Sequence, residues 1–124
     1  MKEKIIIYTN KKCGYCKELK NTFKDKGIEF TEVLTTDYEK EWNKVQSITH
    51  MSATPTILFK GSYFIPERDF NHPDQAVQIL NSYEKPDLDS GDVMLERMKT
   101  LNYNIVFALS TLDRVIKNIN GKLR

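Results

Sequence analysis

Cys13 and Cys16 are the only cysteines of this 124-residue chain, and two residues separate them. An apolar run over residues 4–9 precedes the pair, and an amphipathic segment carrying Leu19 and Phe23 follows it. A helix that begins at Cys13 presents free backbone N–H groups and the positive end of its dipole to that thiol. We therefore expect the pKa of the Cys13 thiol to fall below the value of about 8.5 for free cysteine, so that a thiolate forms at neutral pH.

Thiol–disulfide exchange is the chemistry that this spacing favours. A Cys13 thiolate attacks one sulfur of a disulfide, and Cys16, one helical turn further on, attacks the mixed disulfide that results. Lys11 and Lys12 place positive charge immediately before Cys13, which also favours the thiolate. We predict that Cys13 is the nucleophile and that Cys16 is the resolving cysteine.

Two structural roles for the same pair are the alternatives. A structural zinc site needs four ligands, and the two histidines of the chain, His50 and His72, are far from the cysteines in sequence. A structural disulfide across two residues closes a loop too small to stabilise the fold much through loop entropy. Redox chemistry is therefore the favoured interpretation.

Composition and charge indicate one globular domain without a nucleic-acid or membrane partner. The chain is 40% hydrophobic and 29% charged, with a formal net charge of +2, which is too small to favour binding to polyanions. No apolar run reaches the roughly 18–20 residues of a membrane span. The N-terminus leads directly into a strand and lacks the pattern of a signal peptide, so we expect a cytoplasmic location. There, a CxxC motif beside a βαβ pattern is typical of redox proteins.

Apolar periodicity predicts the element order βαβαββα over the first two thirds of the chain. Gly27 is a predicted helix C-cap, and Pro55 is placed at the mouth of an apolar strand, where its missing N–H does no harm. The predicted elements are strand 4–9, helix 13–26, strand 28–34, a helix capped by Thr36 or Asp37, strand 57–59, strand 63–65, and a helix capped by Asn71 or His72.

A long C-terminal helix is predicted over residues 89–120, with Gly121 as its stop. Two apolar series repeat every seven residues over about four heptads, which is the pattern of a coiled-coil seam: Met94, Leu101, Ala108 and Val115, and Met98, Ile105, Leu112 and Ile119. About 30 residues make a helix of roughly 45 Å. The first interpretation is a helix that packs partly on its own domain and partly on a second copy, which gives a homodimer through residues 89–120. The second is a helix that folds back over one domain, for which a break near residues 102–104 is an option.

Three features together resemble a dithiol glutaredoxin: the Cys13-Gly14-Tyr15-Cys16 motif after the first strand, Thr54-Pro55 before the third, and Gly61 in the following hairpin. The similarity covers roughly residues 3–84. It implies an α/β, thioredoxin-like fold with a mixed four-stranded sheet flanked by helices. The domains are then 1–86, glutaredoxin-like, and 87–124, an amphipathic helical extension. It also implies a cis Thr54–Pro55 bond that presents Thr54 backbone groups to an extended substrate.

The resemblance implies a glutathione-linked thiol–disulfide oxidoreductase, an enzyme of electron transport and cell redox homeostasis. Its partners are then glutathione, as co-substrate, and proteins with disulfides or glutathionylated thiols. The residues assigned to substrate and glutathione binding are Lys11, Lys12, Tyr15, Thr54, Pro55, Arg68 and Asp69. Two alternatives are a redoxin that depends on thioredoxin reductase, and a dimeric carrier of a 2Fe–2S cluster held by Cys13 and glutathione, which the small residue Gly14 permits.

Three departures from the family pattern concern glutathione and leave the cysteines untouched. Asn10 stands where the family has a lysine for the glycine carboxylate of glutathione, and Ile65-Pro66 replaces its Gly-Gly pair. Arg68-Asp69 stands in place of the acidic pair near the γ-glutamyl group. Glutathione as the preferred reductant is therefore less strongly implied than the dithiol chemistry.

Overall fold

A computed structural model of the chain describes residues 4–84 and 91–122. Within these residues the predicted order βαβαββα, followed by a long helix, is confirmed. The elements are β1 (Ile5–Thr9), α1 (Gly14–Asp25), β2 (Thr31–Leu34), α2 (Glu39–Thr49), β3 (Thr56–Phe59), β4 (Ser62–Phe64), α3 (Pro73–Ser82) and α4 (Gly91–Lys122). The proposed domain boundary at 86/87 and the predicted helix start at 89 lie outside the described residues.

The four strands form one mixed sheet in the order β2-β1-β3-β4. β1 and β2 are parallel, with Ile7 opposite Glu32, and α1 makes the crossover that parallel neighbours require. β3 is antiparallel to both β1 and β4. This is the thioredoxin-like mixed sheet that was predicted, and it places the loop after β1 beside the start of β3.

Alternating side chains of β1 and β3 divide the core between the two faces of the sheet. Ile7 and Ile57 lie on the face covered by α1 and α3, and both are fully buried. Tyr8 and Leu58 lie on the opposite face. The first cluster also contains Leu19, Phe23, Phe59, Phe64, Phe70, Ala76, Val77 and Leu80; the second also contains Val45 and Tyr63, with Trp42 and Ile48 packed against it.

Two predicted boundaries were wrong because short turns intervene. β2 begins at Thr31 rather than residue 28, since the Ile28 N–H donates to the Phe23 carbonyl and closes the end of α1. α2 has Tyr38 as its N-cap rather than Thr36 or Asp37. The N–H groups of Asp37 and Tyr38 both donate to the Leu34 carbonyl, so a turn occupies these positions first.

The start of α3 matches the prediction. His72 is its N-cap and Pro73 its first residue, a position where the missing proline N–H costs nothing. The Gln75 side chain accepts hydrogen bonds from the backbone N–H groups of Asn71 and His72, at 2.8 and 3.2 Å. This capping fixes the loop that precedes α3, which borders the site described below.

α4 is one continuous helix of 32 residues beside α2 and β4. The helix runs without a break through residues 102–104, where the fold-back interpretation allowed one, and the predicted stop at Gly121 was wrong because the helix extends to Lys122. Asparagine in a helix costs only a few tenths of a kcal/mol, which is too little to break a helix of this length. None of the helices in the described residues has the length and apolar character needed to cross a bilayer.

Candidate active site

Cys13 is the N-cap residue of α1, with φ −94° and ψ 107°. Its sulfur accepts a hydrogen bond from the Cys16 backbone N–H at 3.1 Å. The chain therefore directs one of the free N–H groups of the first helical turn at this sulfur. The predicted geometry, a sulfur at the head of the first helix, is the one that the structure has.

Cys13 and Cys16 are joined by a disulfide, with their Cα atoms 5.3 Å apart. Cys13 is partly exposed, whereas Cys16 is only 1% exposed. A partner therefore reaches Cys13 first, and the buried Cys16 sulfur is accessible mainly to Cys13. This asymmetry fits the assignment of Cys13 as nucleophile and Cys16 as resolving cysteine.

Asn10 shapes the loop between β1 and α1. Its side-chain oxygen accepts a hydrogen bond from the Lys12 N–H at 3.0 Å, and its carbonyl accepts one from the Cys13 N–H at 3.1 Å. Asparagine favours such local turns because its side chain bonds the backbone two residues on. From the sequence, Asn10 was considered only as the position where the family has a lysine. The preference of asparagine for turns was the signal that could have identified its structural role.

Lys11 and Lys12 lie in the same loop and are exposed. They bring positive charge to the loop that precedes Cys13. Charges in water are screened over about 10 Å at moderate salt, so their influence is local to this loop. Their contact with glutathione stays a prediction.

Thr54 and Pro55 face the cysteines across the site. The Thr54–Pro55 bond is cis, as the resemblance implied, and the Cys13 sulfur lies 3.7 Å from the Thr54 carbonyl oxygen. Pro55 is fully buried. The Thr56 hydroxyl donates to the Ala53 carbonyl at 2.6 Å, which holds the turn that leads into β3.

Tyr15 connects the motif to the loop before α3. Its hydroxyl donates to the Asn71 carbonyl at 2.6 Å, and its ring lies 6.3 Å from that of Phe70. Burial, and secondly the charge of Glu18, raise the pKa of the Tyr15 phenol above its usual value of 10.0. The phenol is therefore neutral and able to donate throughout the physiological range.

A pocket of about 420 Å³ lies beside Thr54. Its walls come from α1, from the segment before β3 and from the loop after β4, and they are Tyr15, Met51, Ala53, Thr54, Pro66, Glu67, Phe70 and Asn71. Glu67 is the charged residue of this lining, and its carboxylate accepts a hydrogen bond from the Tyr103 hydroxyl of α4 at 3.0 Å. Met51, Glu67 and Asn71 were not identified as site residues from the sequence, although Met51 and Glu67 lie close in the chain to the predicted residues Thr54 and Arg68.

Arg68 and Asp69 do not line that pocket but belong to a buried network with α4. The Arg68 side chain is 1% exposed and donates to the carboxylates of Asp69 and Glu96 at 2.7 and 2.6 Å. It also donates to the Tyr63 carbonyl at 2.9 Å and to the Thr100 hydroxyl at 3.1 Å. Their predicted role in glutathione binding stays a prediction, and it would require this network to open.

Among residues 4–84 and 91–122, no three His, Cys, Asp or Glu side chains are grouped in a way that could hold a metal ion. The cluster-carrier alternative draws its four ligands from two Cys13 thiolates and two glutathiones, so it does not depend on such a group.

Comparison with known proteins agrees with this geometry. The family model described as Glutaredoxin matches residues 5–64, which contain all four strands of the sheet and both cysteines. An uncharacterized glutaredoxin-like 8.6 kDa protein in the rubredoxin operon of Clostridium pasteurianum is 33% identical over 61 residues, which make up 49% of this chain and 81% of that protein.

A solved structure supports the fold. The crystal structure of a mutant of a thioredoxin-like protein aligns with a TM-score of 0.53 at 20% identity, over 64% of this chain and 100% of that one. At this level of identity the likeness concerns the architecture alone. The match leaves more than a third of this chain uncovered.

Proposed function

Because this chain belongs to the glutaredoxin family, we propose that it is a dithiol thiol–disulfide oxidoreductase that reduces protein disulfides or glutathionylated thiols through Cys13 and Cys16. The observation that carries the proposal is the partly exposed residue Cys13 at the N-cap of α1, with the buried Cys16 bonded to it. One accessible sulfur and one shielded sulfur are what a two-step exchange needs.

The reaction proceeds in two exchanges. The Cys13 thiolate attacks one sulfur of the substrate disulfide, a Cys13–substrate disulfide forms, and the other substrate sulfur leaves as a thiolate that takes up a proton. The Cys16 thiolate then attacks the Cys13 sulfur, which releases the second substrate thiol and leaves the Cys13–Cys16 disulfide. Two electrons pass from the dithiol to the substrate, and an external thiol reductant must return them.

Protein groups at the site support the first exchange. The Cys16 N–H, which donates to the Cys13 sulfur at 3.1 Å, stabilises negative charge on that sulfur both as attacking thiolate and as leaving group. The Thr54 carbonyl and the pocket beside it border the approach to Cys13. We expect Tyr15 to cover one side of this approach, since its hydroxyl is bonded to the Asn71 carbonyl and its side chain lines the same pocket.

Glutathione is the reductant that the family implies, and thioredoxin reductase is the second candidate. The second is favoured by the charge of the pocket, where Glu67 supplies a carboxylate and the guanidinium of Arg68 is buried elsewhere. Glutathione carries two carboxylates, so a negatively charged wall opposes its binding. Lys11 and Lys12, exposed in the loop before Cys13, are cations that favour its binding.

Coupled assays of the full chain test both parts of the proposal. Oxidation of NADPH is followed with a mixed-disulfide substrate, once with glutathione and glutathione reductase and once with thioredoxin reductase alone. Cys13→Ser should abolish activity in either assay, whereas Cys16→Ser should keep part of the glutathione-dependent activity on a glutathionylated substrate, because that reaction needs one thiol. Activity retained by Cys13→Ser, or wild-type protein inactive with both reductants, would overturn the proposal.

A further inference from the structure

α4 is docked on its own domain by polar side chains. Glu96 is 0% exposed and its carboxylate accepts the Tyr63 N–H at 2.7 Å, while the Thr100 hydroxyl donates to the Thr49 carbonyl at 2.5 Å. Tyr103, one turn further on, donates to Glu67. Residues spaced by four and three lie on one helix face, so the face that contacts the domain is polar.

The opposite face of α4 carries the heptad residues, here called the apolar stripe. Its members are Met94, Met98, Leu101, Ile105, Ala108, Leu112, Val115 and Ile119. The large side chains among them are between 47% and 59% exposed. In heptad notation these residues occupy a and d, and Glu96 and Tyr103 occupy f, the position opposite the seam. The helix therefore turns its apolar face away from the domain.

The distal half of α4 has little cover from its own domain. From Asn104 to Ile119 every side chain except Thr111 is exposed. An isolated helix of this length is marginal in water, and most helix stability in proteins comes from packing an apolar face. Large contiguous apolar surface on a protein marks an interaction site.

We propose that the apolar stripe packs against the same stripe of a second copy of this chain, so that the protein self-associates through α4. The sustained repeat of seven is the geometry that keeps two helices in contact along their whole length. An arbitrary partner surface would not require that spacing. Two identical helices carry the same seven-residue spacing, so their apolar stripes match along their whole length.

The positions that flank the stripe permit such pairing. Flanking charges decide which coiled-coil partners attract or repel each other, and here the flanks are nearly uncharged: Leu95, Asn102, Leu109 and Ile116 at e, and Arg97, Asn104, Thr111 and Asn118 at g. Identical helices therefore meet without like-charge conflict. A partner helix with charged flanking positions would have few oppositely charged residues of α4 to pair with beside the stripe.

A lipid surface fits the helix less well. Helices that lie on membranes carry a basic polar face toward water. In α4 the first turns of that face are occupied by the domain, and the distal half carries both signs, as in the exposed Lys117–Asp113 pair at 2.9 Å. A second copy is therefore the favoured occupant.

The available area is sufficient for a stable assembly. Specific interfaces bury roughly 1,200–2,000 Å² in total, and two copies of a stripe about 40 Å long, at 1.5 Å per residue, supply area of that order. Val106 and Phe107 are 57% and 63% exposed and lie outside the stripe. An assembly of more than two chains would cover these side chains as well.

Mass measurement on the full chain, with a matched pair of variants, tests the proposal. Sedimentation equilibrium at tens of micromolar should give at least twice the 14.5 kDa of one chain. Leu112→Glu places a charge in the stripe and should shift the mass to that of one chain. Ser110→Glu adds the same charge at an f position and should leave the mass unchanged.

The outcomes that overturn the proposal are distinct. A wild-type protein that sediments as one chain, or a Leu112→Glu variant with unchanged mass, removes self-association through the stripe. Wild-type protein that is monomeric and floats with phosphatidylcholine–phosphatidylserine vesicles, while Leu112→Glu does not, assigns the stripe to lipid instead. Circular dichroism and the oxidoreductase assay verify folding, since residue 112 is exposed and distant in sequence from the site.

Discussion

The CxxC site and the docking contact of α4 use polar groups in opposite ways. At the site a partly exposed sulfur has neutral backbone partners, and the charges of Lys11 and Lys12 lie in solvent. At the docking contact the charges are inside the protein, where Glu96 is 0% and the Arg68 side chain 1% exposed. One region is open to exchange partners, and the other is closed to water.

The buried charges of the docking contact bond backbone groups at the outer edge of the sheet. β4 is an edge strand of the sheet, and edge strands present unpaired backbone groups. The Glu96 carboxylate accepts a hydrogen bond from the Tyr63 N–H, while Arg68 and Lys99 donate to the carbonyl of Tyr63. Side chains of α4 and of the following loop thus satisfy the outer edge of the sheet. Since Arg68 adjoins Glu67 of the pocket, the contact also fixes the loop that borders the site.

Because the two regions differ in this way, we expect substitutions in one to affect activity and substitutions in the other to affect stability. Changes at the cysteines should alter activity and leave the fold intact. Changes at the docking contact should weaken the fold, because removing one member of a buried ion pair leaves the other charge without compensation.

The largest expected effect on stability is that of Glu96→Ala. It removes one of the two carboxylates bonded to the Arg68 guanidinium and the carboxylate acceptor of the Tyr63 N–H, while Asp69 stays bonded to Arg68, so we expect the free energy of unfolding to fall by about 3 kcal/mol. Urea denaturation followed by circular dichroism measures it. The Leu112→Glu background is used so that self-association does not contribute.

Two further variants make this test decisive. Asp113→Ala breaks an exposed ion pair on the same helix and should have no measurable effect. Replacing both residues, with Arg68→Leu and Glu96→Met together, should recover part of the loss, since the buried guanidinium is removed along with Glu96 and Asp69, 13% exposed, keeps its bond from the Ile65 N–H. A Glu96→Ala protein within about 1 kcal/mol of its parent would contradict the view that the buried network anchors α4.

The contrast also explains what could be predicted from sequence. The part of the site around the cysteines is built from neighbours in the chain, since the Cys13 sulfur, the Cys16 N–H and the Asn10 turn lie within seven residues, and a strand–loop–helix pattern predicts their geometry. Thr54, 41 residues from Cys13, was identified through the family resemblance instead. The docking contact joins Arg68 to Glu96 and Thr100, 28 and 32 residues away. No local pattern pairs such residues.

The C-terminal helix shows the limit of periodicity. The heptads correctly predicted a long helix with an apolar stripe, and the natural expectation is that an apolar face packs on the core. The docked face was instead the polar one, because Glu96 and Thr100 find backbone partners at Tyr63 and Thr49. Amphipathicity identifies which face needs cover, and only the tertiary structure shows what covers it.

A smaller effect is expected from Tyr15→Phe, which tests how firmly the site region is held. The variant removes the hydrogen bond to the Asn71 carbonyl, a contact that is partly open to water, so we expect a stability loss of about 1 kcal/mol. Because the bond positions a wall of the pocket, KM for the disulfide substrate should rise several-fold while kcat changes less. Tyr38→Phe, at a side chain 52% exposed, is the control. Unchanged KM and stability in Tyr15→Phe would show that this bond does not hold the pocket.

Glu32 lies between the two extremes and gives the smallest expected effect. Its carboxylate joins β2 to α1 and β1 through Lys20 at 2.5 Å and the Thr9 hydroxyl at 2.9 Å, with the Lys20 and Glu32 side chains 25% and 33% exposed. The hydrogen bond from Lys20 is the largest cause that lowers the pKa of Glu32; burial opposes it, and Thr9 and the charges of Lys20 and Lys24 add to the lowering. Solvent screening limits the net contribution to at most about 1 kcal/mol.

The sign of the pH dependence follows from that lowered pKa. Folded Glu32 holds its proton less tightly than the unfolded chain, so its stabilising effect is complete above the unfolded carboxyl pKa of about 4.3 and is lost as pH falls through the lower folded value. Glu32→Gln should therefore be less stable than wild type at pH 7, with the difference disappearing in acid and shrinking at high salt. Glu29→Gln, at an exposed site, should show no such difference. A stability gap for Glu32→Gln that stays constant from neutral to acid pH would mean that packing, rather than charge, accounts for the role of this residue between the sheet and the active-site helix.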